Sequence, residues 1–521
     1  MKTKYILTMV TPILLSSLLV ACNSSDDDKA VTTIEGKVSE VITLDFTSFN
    51  ASEATLETAG FRVFGPAADG GSASLGHDVE PEYVTVSADS STAWVSLQEN
   101  NGIARVDLTT NTITNIFPLG FKDHGAEGNE LDASDKDDDA VILRSFPNLK
   151  GMYQPDGIAS FEEGGVTYVV SANEGDGREY DTFEEEARVE DDEIALDETV
   201  FFDADSLKDE TILGRLKVTR NVASPTAATN FSELHTFGAR SFSIWNGATG
   251  EMVFDSGKQL AEQAVIAGVY PDGRSDAKGT EPENVAIGMV DGKRLAFIGL
   301  ERANAVAVYD LTDLADIKFS EMLVNGDDVG PEGILFIAAD ESPNGTALLV
   351  VSNEITGSVT IYQAGIDGLF GDNIGRIALE GGEAAAEISA YDAETKQLFV
   401  LNNGEDLDAS RVDIVDLSTP ATPTFVSSID TSALGGGINS VAVANGLLAV
   451  AIQANTKTDD GVVAIYNTTS LALIDTADVG ALPDMVTFTK DGTALITADE
   501  GEPNDDYSID PKGSVSIIRL K

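Results

Sequence analysis

The chain has 521 residues, of which 88 are Asp or Glu and 32 are Lys or Arg, so its formal net charge is −56 at pH 7. This balance excludes nucleic acid as a partner, because phosphate binding requires clusters of Lys and Arg. The hydrophobic content of 42% allows a substantial core and excludes a disordered chain. The single cysteine, Cys22, excludes intrachain disulfides and cysteine-based zinc sites.

Residues 1–21 have the features of a secretory signal peptide. Two lysines precede an apolar run that is too short and too interrupted to span a membrane. The run ends in Leu19-Val20-Ala21-Cys22, which is similar to a bacterial lipobox, so we expect Cys22 to be lipidated and to become the mature N-terminus. The alternative is a plain signal peptide that happens to end near a cysteine.

Asn23 follows the lipobox, where an Asp would suggest retention at the inner membrane in lipoproteins of this kind. We therefore expect an exported outer-membrane lipoprotein that faces the periplasm or the cell surface. Residues 22–32 form an acidic tether, and the lipid anchor is the expected contact with the membrane. We expect the protein to be a monomer.

One sequence pattern recurs seven times after the tether. An acidic or polar residue, usually after Pro, opens an apolar alternating strand, and a second strand then ends in an acidic cluster before a third strand begins. The copies start at Pro81-Glu82, Pro155-Asp156, Pro282-Glu283, Pro331-Glu332, Ala386-Glu387, Ile438-Asn439 and Pro483-Asp484. Repeats of this kind predict an all-β fold, a seven-bladed β-propeller over residues 33–521. A β-sandwich with extra domains would not produce repeats in phase.

The last repeat stops after its third strand, so its fourth strand must come from elsewhere. Residues 37–46, KVSEVITLDF, have the alternating pattern of a strand. We predict that this N-terminal strand closes the C-terminal blade and removes its exposed edge. Residues 178–237 are an insertion in the second blade, either a lid over the channel or a loop without a role.

Each repeat carries two acidic positions, one where its first strand starts and one where its second strand ends. In a propeller blade these two points lie on the same face, so the acids should crowd around one mouth of the central channel. At 4 Å each carboxylate pair costs about 1 kcal/mol even in bulk water, so such a cluster requires protons, hydrogen bonds or cations. Oxygen ligands without nitrogen or sulfur favour Ca²⁺.

The alternative is that these acids only cap strand ends. The sixth repeat departs from the pattern because it has Asn439. The predicted metal ligands in the repeats are Glu82, Glu99, Asp156, Glu174, Glu283, Glu301, Glu332, Glu354, Glu387, Asp484 and Glu500.

A loop on the same face, residues 121–153, contains alternating acids. Asp132, Asp135, Asp137 and Asp139 are further candidate metal ligands, although the loop lacks the Gly and Glu of an EF-hand and a solvated acidic turn remains the alternative. Arg178 and Arg302 are isolated cations beside the acidic mouth. They could bind an anionic ligand, or they could form structural ion pairs.

Several blocks of the chain resemble the choice-of-anchor I family of bacterial surface proteins, which includes relatives of the mesenchyme-specific cell surface glycoprotein. The matching blocks are GMYQPDGIASF (151–161), SANEGDGREY (171–180), FEEEARV (183–189), GTEPENVAIG (279–288), GLERANAVAVYDLTD (299–313) and ADEGEPNDDYSIDPKGSVSII (498–518). The resemblance implies an exported propeller. It carries over no catalytic residue.

Two functions fit these observations. The first is a calcium-binding surface module for binding or adhesion, whose ligand is unknown. The alternative is a Ca²⁺-dependent phosphoester hydrolase, similar to alkaline phosphatase-like or phytase-like proteins, in which clustered Ca²⁺ ions would activate a water molecule. The enzyme would need several Lys or Arg for the phosphate, and the predicted mouth is poor in them.

Overall fold

A computed structural model describes residues 34–67, 70–138, 140–222, 226–405 and 409–521. The predicted signal peptide, the lipidation site Cys22 and the tether lie outside these residues, and so does Asp139. Residues 34–521 form one compact unit. No helix in the described ranges is long and apolar enough to cross a membrane.

Seven four-stranded antiparallel sheets, numbered here in chain order, form within the described residues. Sheet 1 consists of Val84–Val86, Thr92–Leu97, Gly102–Asp107 and Thr112–Pro118. Sheet 2 consists of Ile158–Glu163, Val166–Asn173, Ser241–Asn246 and Met252–Asp255. Sheet 3 consists of Pro282–Val290, Lys293–Leu300, Ala305–Asp310 and Lys318–Val324. Sheet 4 consists of Pro331–Ile337, Leu348–Asn353, Ser358–Gln363 and Gly375–Ala378. Sheet 5 consists of Ser389–Asp392, Gln397–Asn402, Arg411–Asp416 and Thr424–Asp430. Sheet 6 consists of Ile438–Ala444, Leu447–Ile452, Asp460–Asn467 and Leu473–Ala481. Sheet 7 consists of Pro483–Phe488, Ala494–Asp499, Ser514–Leu520 and Val38–Asp45.

The first strands of these sheets contact one another in a closed cycle that returns from sheet 7 to sheet 1. Each second strand lies between the first and third strands of its own sheet. Thr92–Leu97, Leu348–Asn353 and Leu447–Ile452 are buried at every position, which explains their nearly continuous apolar sequence. The all-β, propeller-like fold predicted from the repeats is confirmed.

The N-terminal strand completes sheet 7, as predicted. Val38–Asp45 pairs antiparallel with Ser514–Leu520, with Leu44 opposite Val515 and Ile42 opposite Ile517. This pairing covers the edge that the last repeat would otherwise expose.

The insertion in sheet 2 is folded and contributes to a hydrophobic core of its own. Val189, Ile194 and Leu216 pack with Leu131 and Leu149 of the long connection that precedes sheet 2. A three-stranded sheet joins the two segments, and the insertion also contains two short pairs of antiparallel strands. These strands are Phe121–Asp123, Leu149–Met152 and Leu234–Thr236, then Glu179–Tyr180 with Phe183–Glu184, and Glu186–Arg188 with Lys217–Thr219.

Helices are few and short in the described residues. The α-helices are Glu53–Thr58, Leu75–Asp78, Ala204–Leu207 and Gln259–Ala267, and the 3₁₀ helices are Thr47–Ser52 and Asp272–Arg274.

Candidate functional site

A β-bulge at the start of the first strand sets the direction of the opening side chain in each sheet. In sheet 4, Pro331 is opposite Asn353 and Gly333 is opposite Ser352, so Glu332 has no partner in the ladder. The register of sheets 6 and 7 skips Asn439 and Asp484 in the same way. A bulge re-aims the side chain of its extra residue, which here lies at the channel.

Hydrogen bonds show the same arrangement in sheets 1, 2 and 5. In sheet 1 the amide of Glu82 donates to the carbonyl of Ser96 (3.2 Å), and the amide of Ser96 donates to the carbonyl of Tyr83 (2.9 Å). Two residues therefore oppose one. Asp156 and Glu387 make equivalent bonds with Ala172 and Leu401. In sheet 3 the register skips both Glu283 and its neighbour Asn284.

The seven bulge residues line one cavity of about 280 Å³, and we call them the acidic ring. Gln98, Tyr83, Asn284 and Glu500 also line this cavity. No Lys or Arg lines it within the part of the chain that the structure describes. The acidic ring consists of Glu82, Asp156, Glu283, Glu332, Glu387, Asn439 and Asp484.

Several polar atoms at this cavity are buried without a hydrogen-bond partner. They are Oε2 of Glu82, Oε2 of Glu283 and Oδ1 of Asn284. The side chains of Glu82 and Asn284 belong to residues that are only 9% and 7% exposed. An unpaired buried acceptor costs about 1–3 kcal/mol, so each of these oxygens requires a proton, a water molecule or a ligand.

The carboxyl groups of the ring resist ionisation. Burial, followed by the neighbouring charges of Glu99 and Asp156, raises the pKa of Glu82 well above its usual range. Burial raises the pKa of Glu387 to about 8, although a hydrogen bond from Asn403 opposes this shift. Burial and the charge of Glu502 raise the pKa of Asp484 to about 7. Burial and mutual repulsion likewise raise the pKa values of Asp156, Glu283, Glu332 and Glu500 well above their usual range.

The acids at the ends of the second strands have a different environment. Of these, Glu500 lines the cavity, whereas Glu99, Glu174, Glu301 and Glu354 do not. Glu174 accepts hydrogen bonds from Lys278 (2.6 Å) and from Gln98 (3.1 Å). Glu301 forms an ion pair with Arg302 (3.0 Å).

One cluster outside the ring brings three carboxylates together. Oxygen atoms of Glu174, Glu281 and Glu301 lie within 4.8 Å of one another, and no other such trio occurs in the described residues. Basic side chains already neutralise this cluster: the Lys278 ammonium lies 3.7 Å from Glu281, and the Arg274 guanidinium lies 2.6 Å from it. The repeat pattern drew attention to the acid after Pro282 and therefore missed Glu281, which lies just before that proline.

The two arginines predicted to bind anions both form ion pairs with acids of the chain. Arg178 is buried and contacts Asp78 (2.7 Å) and Glu80 (2.8 Å). Arg302 is partly exposed and lies between Glu301 and Glu281. Neither arginine lines the cavity of the acidic ring.

The candidate ligands Asp132, Asp135 and Asp137 lie apart from the ring. Ser275 donates a hydrogen bond to buried Asp132 (3.2 Å), and burial raises the pKa of Asp132. At Asp135 burial is outweighed by hydrogen bonds from Arg215 and Lys136, which lower its pKa to about 2. Oδ1 of Asp137 is buried without a hydrogen-bond partner.

The fold and the carboxylate-lined channel define an acidic β-propeller. Within that class, the chain belongs to the choice-of-anchor I family, because the choice-of-anchor I domain matches residues 25–314 and 387–521.

Two curated relatives resemble parts of the chain. Gigasin-3a of Magallana gigas is 25% identical over 197 residues, which is 31% of this chain and 68% of that protein. The mesenchyme-specific cell surface glycoprotein of Strongylocentrotus purpuratus is 27% identical over 316 residues, which is 51% of this chain and only 40% of the glycoprotein. The family and the second relative indicate an exported surface β-propeller module.

Solved structures with a similar arrangement share little sequence with this chain. A Kuenenia stuttgartiensis hydrazine synthase chain has a TM-score of 0.45 at 14% identity, covering 85% of this chain and 96% of that chain. The WD40 repeats of RRP9 have a TM-score of 0.46 at 11% identity, covering 86% of this chain and 96% of that chain.

Proposed function

We propose that this protein is a lipid-anchored surface module that binds Ca²⁺ in its channel and uses the cation-loaded face for binding or adhesion. The observation that carries the proposal is the acidic ring. The six carboxyl side chains and Asn439 of the ring line one cavity together with Glu500, without any basic residue among its described lining. A divalent cation would neutralise their repulsion and complete the contacts of the unpartnered oxygens of Glu82 and Glu283.

The chemical type of the donors suits calcium, and because no three ring carboxylates lie within 4.8 Å of one another in the described residues, cation binding would draw them closer together. Ca²⁺ accepts carboxylate and amide oxygens in flexible geometries with about 6–8 ligands, whereas Mg²⁺ demands a compact octahedron. The cavity offers carboxylates and the amide oxygens of Asn439 and Asn284, and its described lining contains no His or Cys. The raised pKa values of Glu387 and Asp484 imply that bound cation displaces protons from the ring.

Phosphoester hydrolysis is not part of the proposal. Basic groups would have to bind the phosphate, and Lys278, whose charge acts on Asp156 of the ring, is already paired with Glu174 and Glu281. We found no contact in the described residues that favours the enzyme over the binding module.

Calorimetric titration of residues 34–521 with CaCl₂ tests the proposal. We expect binding at pH 7.5, weaker binding at pH 6, and proton release that shows as a dependence of the heat on buffer ionisation. The double variant Glu82→Gln/Glu283→Gln should lose at least about tenfold in affinity, because both ligands lose their charge. The matched control is Glu341→Gln/Glu394→Gln, which removes the same charge from exposed positions.

Equal binding by both double variants, or no Ca²⁺ binding by the wild type, would refute the calcium site. The anchor is tested separately by radiolabelled palmitate incorporation into the full-length protein, which should disappear in Cys22→Ser.

A further inference from the structure

A second cavity lies between sheets 1 and 2, at the ends of their strands that are remote from the acidic ring. Its volume is about 420 Å³, within the range of about 300–1,000 Å³ typical of small-molecule sites. Its walls are formed by the turn 87–92, which joins two strands of sheet 1, and by the turns 162–167 and 246–249, which each join two strands of sheet 2. The acidic ring lies at the start of the first strands, and the turn 87–92 follows the end of the first strand of sheet 1.

Arg105 is the basic residue in the described lining of this cavity. Its Nε atom is buried without a hydrogen-bond partner. Its guanidinium also forms none of the ion pairs found in the described residues, in a chain with 88 acidic and 32 basic side chains. Most arginines in such a chain find a carboxylate, as Arg178 and Arg215 do. Arg144, Arg240 and Arg519 also form no ion pair in the described residues, but they do not line this cavity, so Arg105 is its candidate contact for an external anion.

The acids near Arg105 do not satisfy it. Asp89 accepts hydrogen bonds from Ser87 Oγ and Ser91 Oγ, both at 2.7 Å, and these bonds lower the pKa of Asp89. The side chain of Glu162 is exposed. Neither acid lies within ion-pair distance of the guanidinium, so its positive charge remains available.

Trp94 forms the base of the cavity next to Arg105. The two residues are direct cross-strand partners in sheet 1, so their side chains share one face of the sheet. The Trp94 Nε1 atom donates to the carbonyl of Gly247 (2.8 Å), which fixes the ring under the turn 246–249. Half of the remaining lining residues carry hydroxyl or amide side chains, including Thr92, Thr167 and Asn246, and the rest are Asp89, Glu162 and small or apolar residues.

We propose that this cavity binds a small sugar or polyol acid, whose single carboxylate or sulfate pairs with Arg105. A guanidinium binds such a group with two parallel hydrogen bonds, and the Ser, Thr and Asn side chains match the hydroxyls of the ligand. A long polyanion fits poorly, because the net charge of −56 repels it before it reaches the site. The site is independent of the calcium proposal, since none of its lining residues belongs to the acidic ring.

Ligand-observed NMR and calorimetry with sodium glucuronate, with glucose as the neutral comparison, test this site in the presence of EDTA. We expect glucuronate to bind and glucose to bind at least about tenfold more weakly, because a hydrogen bond to a charged group is worth about 1.5–3 kcal/mol. Arg105→Gln should weaken glucuronate binding at least about tenfold. The matched control is Arg144→Gln, which removes the same charge from a partly buried arginine outside this lining.

Three outcomes overturn the proposal: no glucuronate binding, equal binding of glucose, or equal effects of the two arginine variants. Thermal unfolding of both variants checks that the fold is retained. If Arg105→Gln is unstable, Thr167→Val replaces it, because this change removes a lining hydroxyl while keeping the shape of the side chain, and it should lower the affinity while leaving the melting temperature within a few degrees. Unchanged affinity in that folded variant also overturns the proposal.

Discussion

Replacing Glu387 by Gln should stabilise the protein when divalent cations are absent. The carboxyl group of Glu387 has a pKa of about 8 in the folded protein, against an ordinary value of 4.5, and burial is the main cause. A carboxyl with a raised pKa binds more protons in the folded state than in the unfolded state. Its contribution to stability is therefore present at low pH and is lost as the pH rises from about 4.5 to about 8.

The magnitude follows from the shift. One pKa unit corresponds to about 1.4 kcal/mol, so the difference in proton binding by Glu387 between the folded and unfolded states lowers the free energy of unfolding by up to about 4 kcal/mol between low pH and pH 7.5. Partial solvent contact of Glu387 reduces this value. We therefore expect Glu387→Gln to raise the free energy of unfolding by about 1–4 kcal/mol at pH 7.5, and by less than about 1 kcal/mol at pH 5.

Urea denaturation in EDTA, at pH 5 and at pH 7.5, measures this gain. Glu394→Gln is the control, because Glu394 is exposed in the turn between the first two strands of the same sheet. Asn439→Asp should have the opposite effect: it adds a seventh carboxylate to the ring and removes the hydrogen bond from Asn439 to the carbonyl of Pro483. With saturating Ca²⁺ the advantage of Glu387→Gln should shrink.

An equal gain at both pH values would refute the electrostatic reasoning. So would a Glu387→Gln variant that is no more stable than Glu394→Gln at pH 7.5 in EDTA.

Two further predictions concern the parts that hold the fold together. Arg62→Leu should lower the free energy of unfolding by about 3–5 kcal/mol, because Arg62 and Glu185 are both fully buried and the change leaves an unpaired carboxylate. In urea denaturation, the double variant Arg62→Leu/Glu185→Leu should recover part of this loss. A cost below about 1 kcal/mol for the single change would contradict the reasoning. Removing residues 34–46 together with the segment before them should expose the edge strand Ser514–Leu520, lower the melting temperature and promote self-association. Analytical ultracentrifugation checks this result, and a shortened protein that stays monomeric with an unchanged melting temperature would contradict it.

The sequence predicted the sheets well because each repeat contains the alternating apolar pattern of its own strands. Pro483 and Asp484 mark the start of a strand in the sequence and in the structure. The same repeats could not show that Asp484 is the extra residue of a bulge, because a bulge is visible only in the pairing of two strands. The division between the acids of the ring and those paired with basic residues was therefore not predictable from spacing.

Ion-pair partners that are distant in the sequence could not be predicted either. Arg178 looked like an isolated cation in the sequence, yet its carboxylate partners Asp78 and Glu80 lie about a hundred residues earlier. Lys278 similarly neutralises Glu174 across 104 residues. Nothing in the local sequence of either cation indicates such a partner, so ion pairs of this kind require the folded arrangement.

Sheet 7 also has a consequence for how the molecule is made. Thr43 and Ser516 face each other in this sheet although 473 residues separate them in the chain. Closing a loop of that length costs about 5 kcal/mol of chain entropy, so we expect this pairing to form after the rest of the ring has folded. The strand that is synthesised early is thus the one placed last. A polypeptide released before residue 514 would keep Val38–Asp45 without its partner and the ring open, so completion of this seam distinguishes full-length molecules from prematurely terminated ones.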